Sequence, residues 1–376
     1  MVDRLSLYRP FALQPNRVWR TYLGGKLLDE MEGKEFPIDS HFPEDWIAST
    51  TRAINRGREH LKGEGISKIE IDGKDILFPE LIKSYPYEVL GRGHVEVFGL
   101  ETAVLVKLLD SAIRLHIQVH PTISYAQRYL GSSRGKTEAY IILAHRKDIH
   151  PYIYLGFQCS PSREEWRRVI EKQDINRMLS FFNPIPARPG DVFIVHGGIP
   201  HAIGEGLLMV EIMEPTDFVV RCEFQRGEYI LPESARFMNL GLEQALDMFD
   251  YTSYPIEEVK KRFRPIQRVI KEQKGGREME LITSRDTHCF RANRLEVWGK
   301  FEAKNPENFC IGIVVNGKGR LMYEDGFIEM TRGKKFFLPA CLSNFSLVAE
   351  KENTLEIIMV MPPEPSCQKS KIPNAS

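Results

Sequence analysis

Short apolar runs and alternations of apolar with polar residues recur along this chain, and both patterns are typical of β-strands. In the first half, residues 95–119 (VEVFGLETAVLVKLLDSAIRLHIQV) predict strands separated by a turn at Asp110 to Ala112. Sheet is predicted again from Val192 to Met213, where apolar runs flank a turn. Most of the chain is therefore expected to be β-sheet.

A few segments show helical spacing instead. Residues 162–182 place apolar side chains three and four positions apart after Ser162, a capping residue followed by glutamates in the first turn. A second helix is predicted over about residues 232–249, and residues 254–264, which include the basic run EVKKRFR, are predicted to be a connector. These few helices lie within and after the first block of strands.

A charged stretch with paired glycines, KEQKGGREME at residues 271–280, is typical of an exposed linker between domains. Beyond it the pattern is almost purely β, with turns at NGKG, EDG and RGKK. The sequence therefore predicts two domains, residues 1–270 and residues 271–376, of which the second is a small antiparallel sandwich or barrel.

Composition limits the classes of partner. The 376 residues carry 51 Lys and Arg against 51 Asp and Glu, so no net charge draws nucleic acid or a membrane surface. Six cysteines without a CxxC pair are typical of reduced thiols, and no apolar run reaches the length of a membrane span. We expect a cytoplasmic monomer or homodimer that binds a small molecule and neither nucleic acid nor a membrane.

Candidate chemistry begins in the segment RLHIQVHP. Side chains alternate between the two faces of a strand, so His116, Gln118 and His120 share one face. If the opposite apolar face packs on a second layer, these three polar groups project into the mouth of a barrel. Two interpretations remain at this point: a metal site, or a pair of hydrogen-bonded histidines beside a glutamine.

Two further segments favour the metal site. GKTE supplies Glu138 just before a predicted strand, and GGIPH supplies His201 just after another. Together with Gln118 and His120 they offer one carboxylate, two imidazoles and one amide oxygen. This mixed set suits one Zn²⁺ ion and also admits Mn²⁺, Co²⁺ or Fe²⁺, because the neutral amide is a weak and unselective ligand.

These motifs resemble those of the class I phosphomannose isomerases of the cupin superfamily. The resemblance is carried by LHIQVHP (residues 115–121), GKTE (135–138), PHAI (200–203) and TDFVVR (216–221), in the family's order. It implies two cupin-type β-barrel or jelly-roll domains, a metal-binding catalytic one with helical insertions and a metal-free one at the C-terminus. It also implies that Gln118, His120, Glu138 and His201 hold the metal.

The resemblance further implies an aldose-ketose isomerase that interconverts mannose 6-phosphate and fructose 6-phosphate through a cis-enediolate. Lys107, Lys136 and Arg221 would line the sugar site. Arg221 would stabilise the developing negative charge, and Lys136 would act as base or proton shuttle, a role that a glutamate or a water molecule could also fill. Asp217 would orient Arg221, although an ordinary ion pair between these two residues is the alternative.

Some positions depart from the family's pattern. His116 stands where the family usually has serine, and His196 stands where it commonly has a small residue. These changes leave open an isomerase or epimerase for a different sugar, including one without a phosphate, with His116 as a substrate-binding residue. They also leave open a neutral pocket wall at both positions. A sugar-sensing cupin without turnover is the alternative from another class of function.

Overall fold

Antiparallel sheets are the main regular structure of the computed structural model, which describes residues 4–305 and 308–366. Numbered along the chain, the strands are β1 (Phe11–Ala12), β2 (Arg17–Val18), β3 (Glu44–Ile47), β4 (Lys68–Ile71), β5 (Lys74–Leu77), β6 (Leu105–Asp110), β7 (Gln118–Val119), β8 (Glu138–His145), β9 (Tyr152–Leu155), β10 (Ile185–Pro186), β11 (Val192–Val195), β12 (His201–Ile203), β13 (Leu207–Met213), β14 (Val220–Arg221), β15 (Gln225–Arg226), β16 (Tyr229–Ile230), β17 (Arg268–Gln273), β18 (Gly276–Ile282), β19 (Arg291–Val297), β20 (Lys300–Lys304), β21 (Cys310–Asn316), β22 (Lys318–Tyr323), β23 (Gly326–Thr331), β24 (Lys335–Leu338), β25 (Asn344–Ala349) and β26 (Leu355–Met361).

Short helices connect these strands. They are α1 (Lys26–Met31), α2 (Phe78–Ser84), α3 (Pro86–Leu90), α4 (Arg92–Phe98), α5 (Ile123–Tyr129), α6 (Arg163–Lys172), α7 (Ile175–Leu179), α8 (Leu242–Leu246) and α9 (Ile256–Phe263). The predicted mainly β, cupin-type fold with a few helices is confirmed. In the described part of the chain, no helix combines the length and apolarity needed to cross a membrane.

Two sheets form the barrel of the first half. One has the strand order β11-β8-β13-β6-β3-β2, and the other has the order β10-β9-β12-β7-β14. Their apolar inner faces share one core, in which Tyr140, Phe193 and Met209 of the first sheet meet Ile153 and Leu155 of the second. Burying these side chains between the sheets leaves the polar residues of the same inner faces at one end of the barrel.

Strand register places the polar residues side by side. In the first sheet, Lys107 of β6 is paired with Trp46 of β3 on one side and with Glu211 of β13 on the other. In the second sheet, Gln118 of β7 is paired with both His201 of β12 and Arg221 of β14. Since paired residues point to the same face, Lys107 and Glu211 of the first sheet and Gln118 and Arg221 of the second line one pocket.

The second half is a sandwich of two sheets with its own apolar core. The sheets have the orders β1-β24-β21-β26-β19-β18-β17 and β20-β25-β22-β23. The longer sheet includes β1, whose Phe11 is paired with Phe337 of β24. A larger core joins the halves, because Val106 and Ile141 of the first barrel belong to the same buried cluster as Ile358.

Several local predictions differ from the structure. The segment 95–98, predicted as strand, is the end of α4, and residues 256–263, predicted as a connector, form α9. The helix over 162–182 is present but is broken at Gln173, which has a left-handed backbone conformation with φ of 51°. The predicted helix over 232–249 contains only a 3₁₀ turn (Glu233–Ala235) and α8.

The prediction that residues 271–280 form an exposed linker is wrong, because these residues form most of the β17–β18 hairpin. Alternating charges in this hairpin reflect a sheet edge with one face in solvent. The division between residues 1–270 and 271–376 therefore falls inside β17. That division stays a prediction.

Candidate metal centre and sugar pocket

Three segments of the first barrel meet at one point of the backbone. The amide of Lys136 donates to the carbonyl of Pro121 at 2.9 Å, and the amide of Gly198 donates to the carbonyl of His120 at 2.8 Å. Such close contact requires glycines, since a Cβ on Gly135 or on Gly197 would lie 2.6 Å from the Pro121 carbonyl oxygen. The segments that carry His120, Glu138 and His201 are thus held together.

His120, Glu138 and His201 form a buried cluster whose ligand atoms all lie within 4.8 Å of one another. His120 Nε2 is 3.1 Å from Glu138 Oε2, and His201 Nε2 is 3.2 Å from Glu138 Oε1. Each imidazole uses its other nitrogen on a backbone carbonyl: His120 Nδ1 donates to Phe218 at 2.8 Å, and His201 Nδ1 donates to Ile199 at 2.9 Å.

These hydrogen bonds decide what the cluster can bind. A carbonyl only accepts, so each Nδ1 carries a hydrogen, and each neutral ring presents a lone pair at Nε2. Two lone pairs then face the two oxygens of Glu138, an arrangement of acceptors that a cation stabilises. Burial acts to raise the pKa of Glu138, but His120 and Lys136 lower that pKa well below its usual range. Burial lowers the pKa of His120 to about 3. An ionised carboxylate and neutral imidazoles are the forms that bind metal.

Gln118 completes the predicted ligand set. Its side-chain Nε2 lies 3.2 Å from His201 Nε2, so the amide is beside the cluster. Since the nitrogen and oxygen of an amide exchange places by a half-turn, the same position can offer Oε1 to a cation. The residues present therefore fit a metal ion with nitrogen and oxygen ligands.

A pocket opens next to this cluster. Its wall includes four residues predicted for the sugar site, Lys107, His116, Lys136 and Arg221, together with the predicted ligand Gln118. Lys136 Nζ is 3.1 Å from His120 Nε2 and 3.3 Å from Glu138 Oε2, so it is the ammonium group nearest the metal cluster. Burial lowers the pKa of Lys136, while Glu138 acts in the opposite direction.

Lys107 is held in a network of buried charges. Its Nζ lies 2.9 Å from Glu211 and 3.4 Å from Glu44, and Glu44 also lies 3.2 Å from Arg20. Although burial opposes the charge, Glu211 and Glu44 raise the pKa of Lys107. Tyr22 donates to Glu44 at 2.6 Å. Lys107 thus has two carboxylate partners before any substrate binds.

Asp217 has a different partner from the one predicted. It forms a two-pronged ion pair with Arg20, with distances of 3.0 and 2.9 Å, and accepts a hydrogen bond from the amide of Ile54 at 2.9 Å. Burial of Asp217 acts to raise its pKa, but the ion pair with Arg20 lowers that pKa. The prediction that Asp217 pairs with or orients Arg221 is therefore replaced by a pair with Arg20.

Arg221 has no direct acidic partner among the described residues. Its Nη1 donates to the carbonyl of Ala235 at 3.1 Å, and none of the described carboxylates lies within ion-pair distance of it. Burial, and then repulsion by Arg20, lower the pKa of Arg221 to about 10, which keeps it charged at neutral pH. A guanidinium without a direct carboxylate partner among the described residues is suited to binding an anion.

The two unexpected histidines are in different places. His116 is only 2% exposed and lines the pocket, and its Nδ1 donates to the carbonyl of Glu223 at 2.8 Å. Burial, followed by repulsion from Arg221, lowers the pKa of His116 to about 3. His196 is not part of this wall and packs with its ring centre 6.2 Å from that of Phe263.

Sequence reasoning missed the charged network behind the pocket, Arg20, Glu44 and Glu211. A signal was present, because Glu211 interrupts the apolar run LLMVEIM and Glu44 precedes Trp46 in β3. Every residue of β13 is buried, and a charged residue in a fully buried strand requires a partner. The partner itself could not be read from the sequence, because it comes from a distant strand.

Residues 284–362 match the family described as "Mannose-6-phosphate isomerase, cupin domain". The chain is 28% identical to the probable mannose-6-phosphate isomerase GmuF of Bacillus subtilis over 72% of this chain and 80% of that protein. It is 25% identical to the mannose-6-phosphate isomerase ManA of the same organism, over 73% of this chain and 82% of the relative.

Solved structures have the same fold over nearly the whole chain. A putative mannosephosphate isomerase from Archaeoglobus fulgidus superposes with a TM-score of 0.71 at 21% identity, over 95% of this chain and 99% of that one. The mannose 6-phosphate isomerase of B. subtilis gives 0.71 at 23% identity, over 93% and 99%. A zinc-bound mannose 6-phosphate isomerase gives 0.69 at 16% identity, over 94% and 100%.

Proposed function

Because the chain belongs to the mannose-6-phosphate isomerase family, we propose that it interconverts mannose 6-phosphate and fructose 6-phosphate through a cis-enediolate with the aid of one divalent cation. The names of its relatives support this substrate. The observation that carries the proposal is the buried cluster in which two imidazole lone pairs face the oxygens of Glu138, beside a pocket lined by the guanidinium of Arg221.

We assign the metal to Gln118, His120, Glu138 and His201, with Zn²⁺ as the first ion to test. The mixture of nitrogen and oxygen donors supports this choice, as does the zinc in a structure of the same fold. When bound, the ion supplies a Lewis acid and a template for the oxygens at C1 and C2 of the sugar. The two backbone-anchored histidines keep their lone pairs turned towards that ion.

Each remaining polar residue has a separate role in the transfer of a proton between C1 and C2. Arg221 lines the pocket without an ion pair to any described carboxylate, so it is placed to stabilise the negative charge that develops on the substrate. Lys136 lies at the edge of the metal cluster, where its Nζ is placed to hold or move the transferred proton. Lys107 lines the pocket from within its ion pairs and fixes the shape of that wall.

The test is exchange of deuterium at C1 and C2 in a metal-replete sample, measured across a panel of sugars and sugar phosphates. Exchange with mannose 6-phosphate and fructose 6-phosphate, lost on chelation and restored by Zn²⁺, is the expected result. Exchange with only a different sugar would contradict the named substrate. Binding of sugars without exchange on any of them would favour a sensor.

Metal analysis of two glutamate variants separates the ligand from its surroundings. Glu138→Gln is expected to lose stoichiometric metal, because a neutral amide replaces the one anionic donor of the cluster. Glu211→Gln makes the same chemical change in the neighbouring pocket and is expected to retain the metal. Equal metal content in both variants would contradict the proposed ligand set.

A further inference from the structure

His116 is a buried side chain with one ring nitrogen in use and the other without a partner. Its Nδ1 donates to the carbonyl of Glu223, whereas its Nε2 is buried and makes no hydrogen bond to any described residue. The side chain is 2% exposed and lines the pocket beside Gln118 and Arg221. It does not belong to the cluster of metal-ligating atoms. Neither packing nor the metal accounts for the unused nitrogen.

The orientation of the ring is fixed by the residue that accepts its hydrogen. Glu223 is clamped by Arg114 through two contacts of 2.6 and 2.8 Å, and it accepts the amide of Ile117 at 2.7 Å. Its backbone carbonyl is therefore held in place as an acceptor for His116 Nδ1. A ring that donates from Nδ1 presents a lone pair at Nε2, so the buried nitrogen requires a donor.

Two cations in the wall of the pocket are already paired with carboxylates. Lys107 is engaged by Glu211 and Glu44, and Arg20 is engaged by Asp217 and Glu44. A sugar hydroxyl can donate to a lone pair, whereas a phosphate dianion has only acceptor oxygens. The chemistry at this point of the wall thus selects the hydroxylated part of a ligand and repels its phosphate.

We infer that His116 Nε2 accepts a hydrogen bond from a hydroxyl group of the substrate beyond the two reacting carbons. This inference rests on the proposed isomerase function and makes His116 a specificity-determining residue. The phosphate is then placed away from His116, in the adjoining pocket that contains Arg56 and shares Val219 and Arg221 with this one. The sugar is oriented by the lone pair of His116 and by the positive charge of Arg56 in the adjoining pocket.

Two variants test the two ring nitrogens of His116 separately. Asn in place of His116 keeps a donor near the position of Nδ1 and removes the acceptor at Nε2, whereas Gln places an amide oxygen near the position of Nε2. Each is compared with the wild type on mannose 6-phosphate and on its 3-, 4- and 5-deoxy analogues. Metal content and circular dichroism are measured in parallel, and kcat and KM are reported separately.

For the parent sugar we expect His116→Asn to lower kcat/KM about tenfold to a hundredfold, with His116→Gln in between, since a buried group loses its hydrogen bond. One of the three deoxy analogues lacks the hydroxyl that His116 binds. On that analogue His116→Asn is expected to have the same kcat/KM as the wild type. An equal loss on the parent and all three analogues would indicate a structural role and overturn the inference, as would no loss on the parent.

The wild type provides a second measurement that does not depend on any variant folding. One deoxy analogue is expected to lose the same tenfold to hundredfold in kcat/KM relative to the parent, and three analogues that match the parent would overturn the inference. If the wild type turns over none of these sugars, the proposed function fails, and the same comparison is made by calorimetric binding of mannose 6-phosphate and its deoxy analogues. Equal affinities would then overturn the role of His116 independently.

Discussion

At the scale of single residues, the first barrel depends on pairs of charges that are buried together. Arg20 and Asp217 are both under 10% exposed and lie in the wall behind the pocket. A buried ion pair adds little stability by itself, but removing one partner leaves an uncompensated charge away from water. In this site the cost is increased because Arg20 also repels Arg221.

Replacing Asp217 with Asn is therefore expected to lower the free energy of unfolding by about 3–5 kcal/mol. Urea unfolding followed by tryptophan fluorescence measures the change. The matched control is Glu243→Gln, which breaks an exposed ion pair with Arg163 and is expected to leave the midpoint almost unchanged. A similar midpoint shift in both variants would contradict the argument from burial.

His94 on α4 gives a prediction for pH. It is 1% exposed, its Nε2 donates to the carbonyl of Glu101 at 2.7 Å, and burial, with a smaller effect of Arg134, lowers its pKa to about 4. The unfolded chain has the ordinary histidine pKa of about 6.5 and takes up the proton first as pH falls. Stability is therefore complete above about pH 6.5 and is lost as pH falls towards 4, by up to about 3 kcal/mol.

This loss is measured as the difference in pH dependence between the wild type and His94→Leu. Urea midpoints are collected from pH 7 to pH 4 with a chelator present, so that metal release does not contribute. The variant is expected to be less sensitive to acid across this range. Parallel curves for the two proteins would show that His94 is not responsible.

Part of the candidate site could be predicted from the sequence, because a local rule places some of its residues together. Alternation along a strand places His116 and Gln118 on one face, and the structure brings both to the wall of one pocket. The partner of Asp217 could not be predicted in this way. Arg20 is distant along the chain, whereas Arg221 is four residues away and was the natural but incorrect choice.

At the scale of elements, tertiary contacts overrode local propensity in two places. VEVF alternates like a strand, yet it ends α4, because this segment packs in a helical layer with α3. The charged residues 271–280 were interpreted as a linker, although the same alternation is expected of a hairpin at a sheet edge. Propensity is a weak guide where burial against distant segments decides the structure.

The crossing of three loops at Pro121 gives a prediction at this scale. A methyl group on Gly135 would lie within 3 Å of backbone atoms of Pro121 and Ile123, so Gly135→Ala must displace the segment that leads to Glu138. A displacement near 1 Å costs about a hundredfold in rate. We expect a loss of that order in kcat/KM together with weaker Zn²⁺ binding.

Gly63→Ala is the matched control, because nothing lies within 4 Å of the added carbon and its φ is not in the left-handed region. Zn²⁺ titration and the isomerase assay are applied to both variants. Normal metal affinity in Gly135→Ala would show that the loop crossing does not position the ligands.

At the scale of the whole molecule, the two halves share buried surface. Phe337 of β24 stacks with its ring centre 6.2 Å from Phe11 and packs edge-on at 4.9 Å against Phe78, both from the first half of the chain. Lys335 of the same strand contacts Asp45 of β3 in a buried ion pair. The second half is thus joined to the back of the sheet that carries Glu138 and Lys107.

Phe337→Ala is therefore expected to destabilise both halves together, by about 3–5 kcal/mol. Fluorescence of the buried Trp46 and Trp166 and far-ultraviolet circular dichroism are expected to report one shared transition. Phe345→Ala, in the core that belongs to the second sandwich alone, is the comparison. If Phe337→Ala separates the unfolding into two transitions, the halves are energetically independent.

The pairing of β1 with β24 also orders events during synthesis. Phe11 leaves the ribosome long before Phe337, its strand partner, has been translated. Until β24 has been made, the apolar strand β1 has no partner strand to pair with. Pairing between strands so far apart in the sequence is slow to form. This part of the fold therefore cannot form until β24 has been synthesised, and the nascent polypeptide is exposed to chaperones and to self-association in that interval.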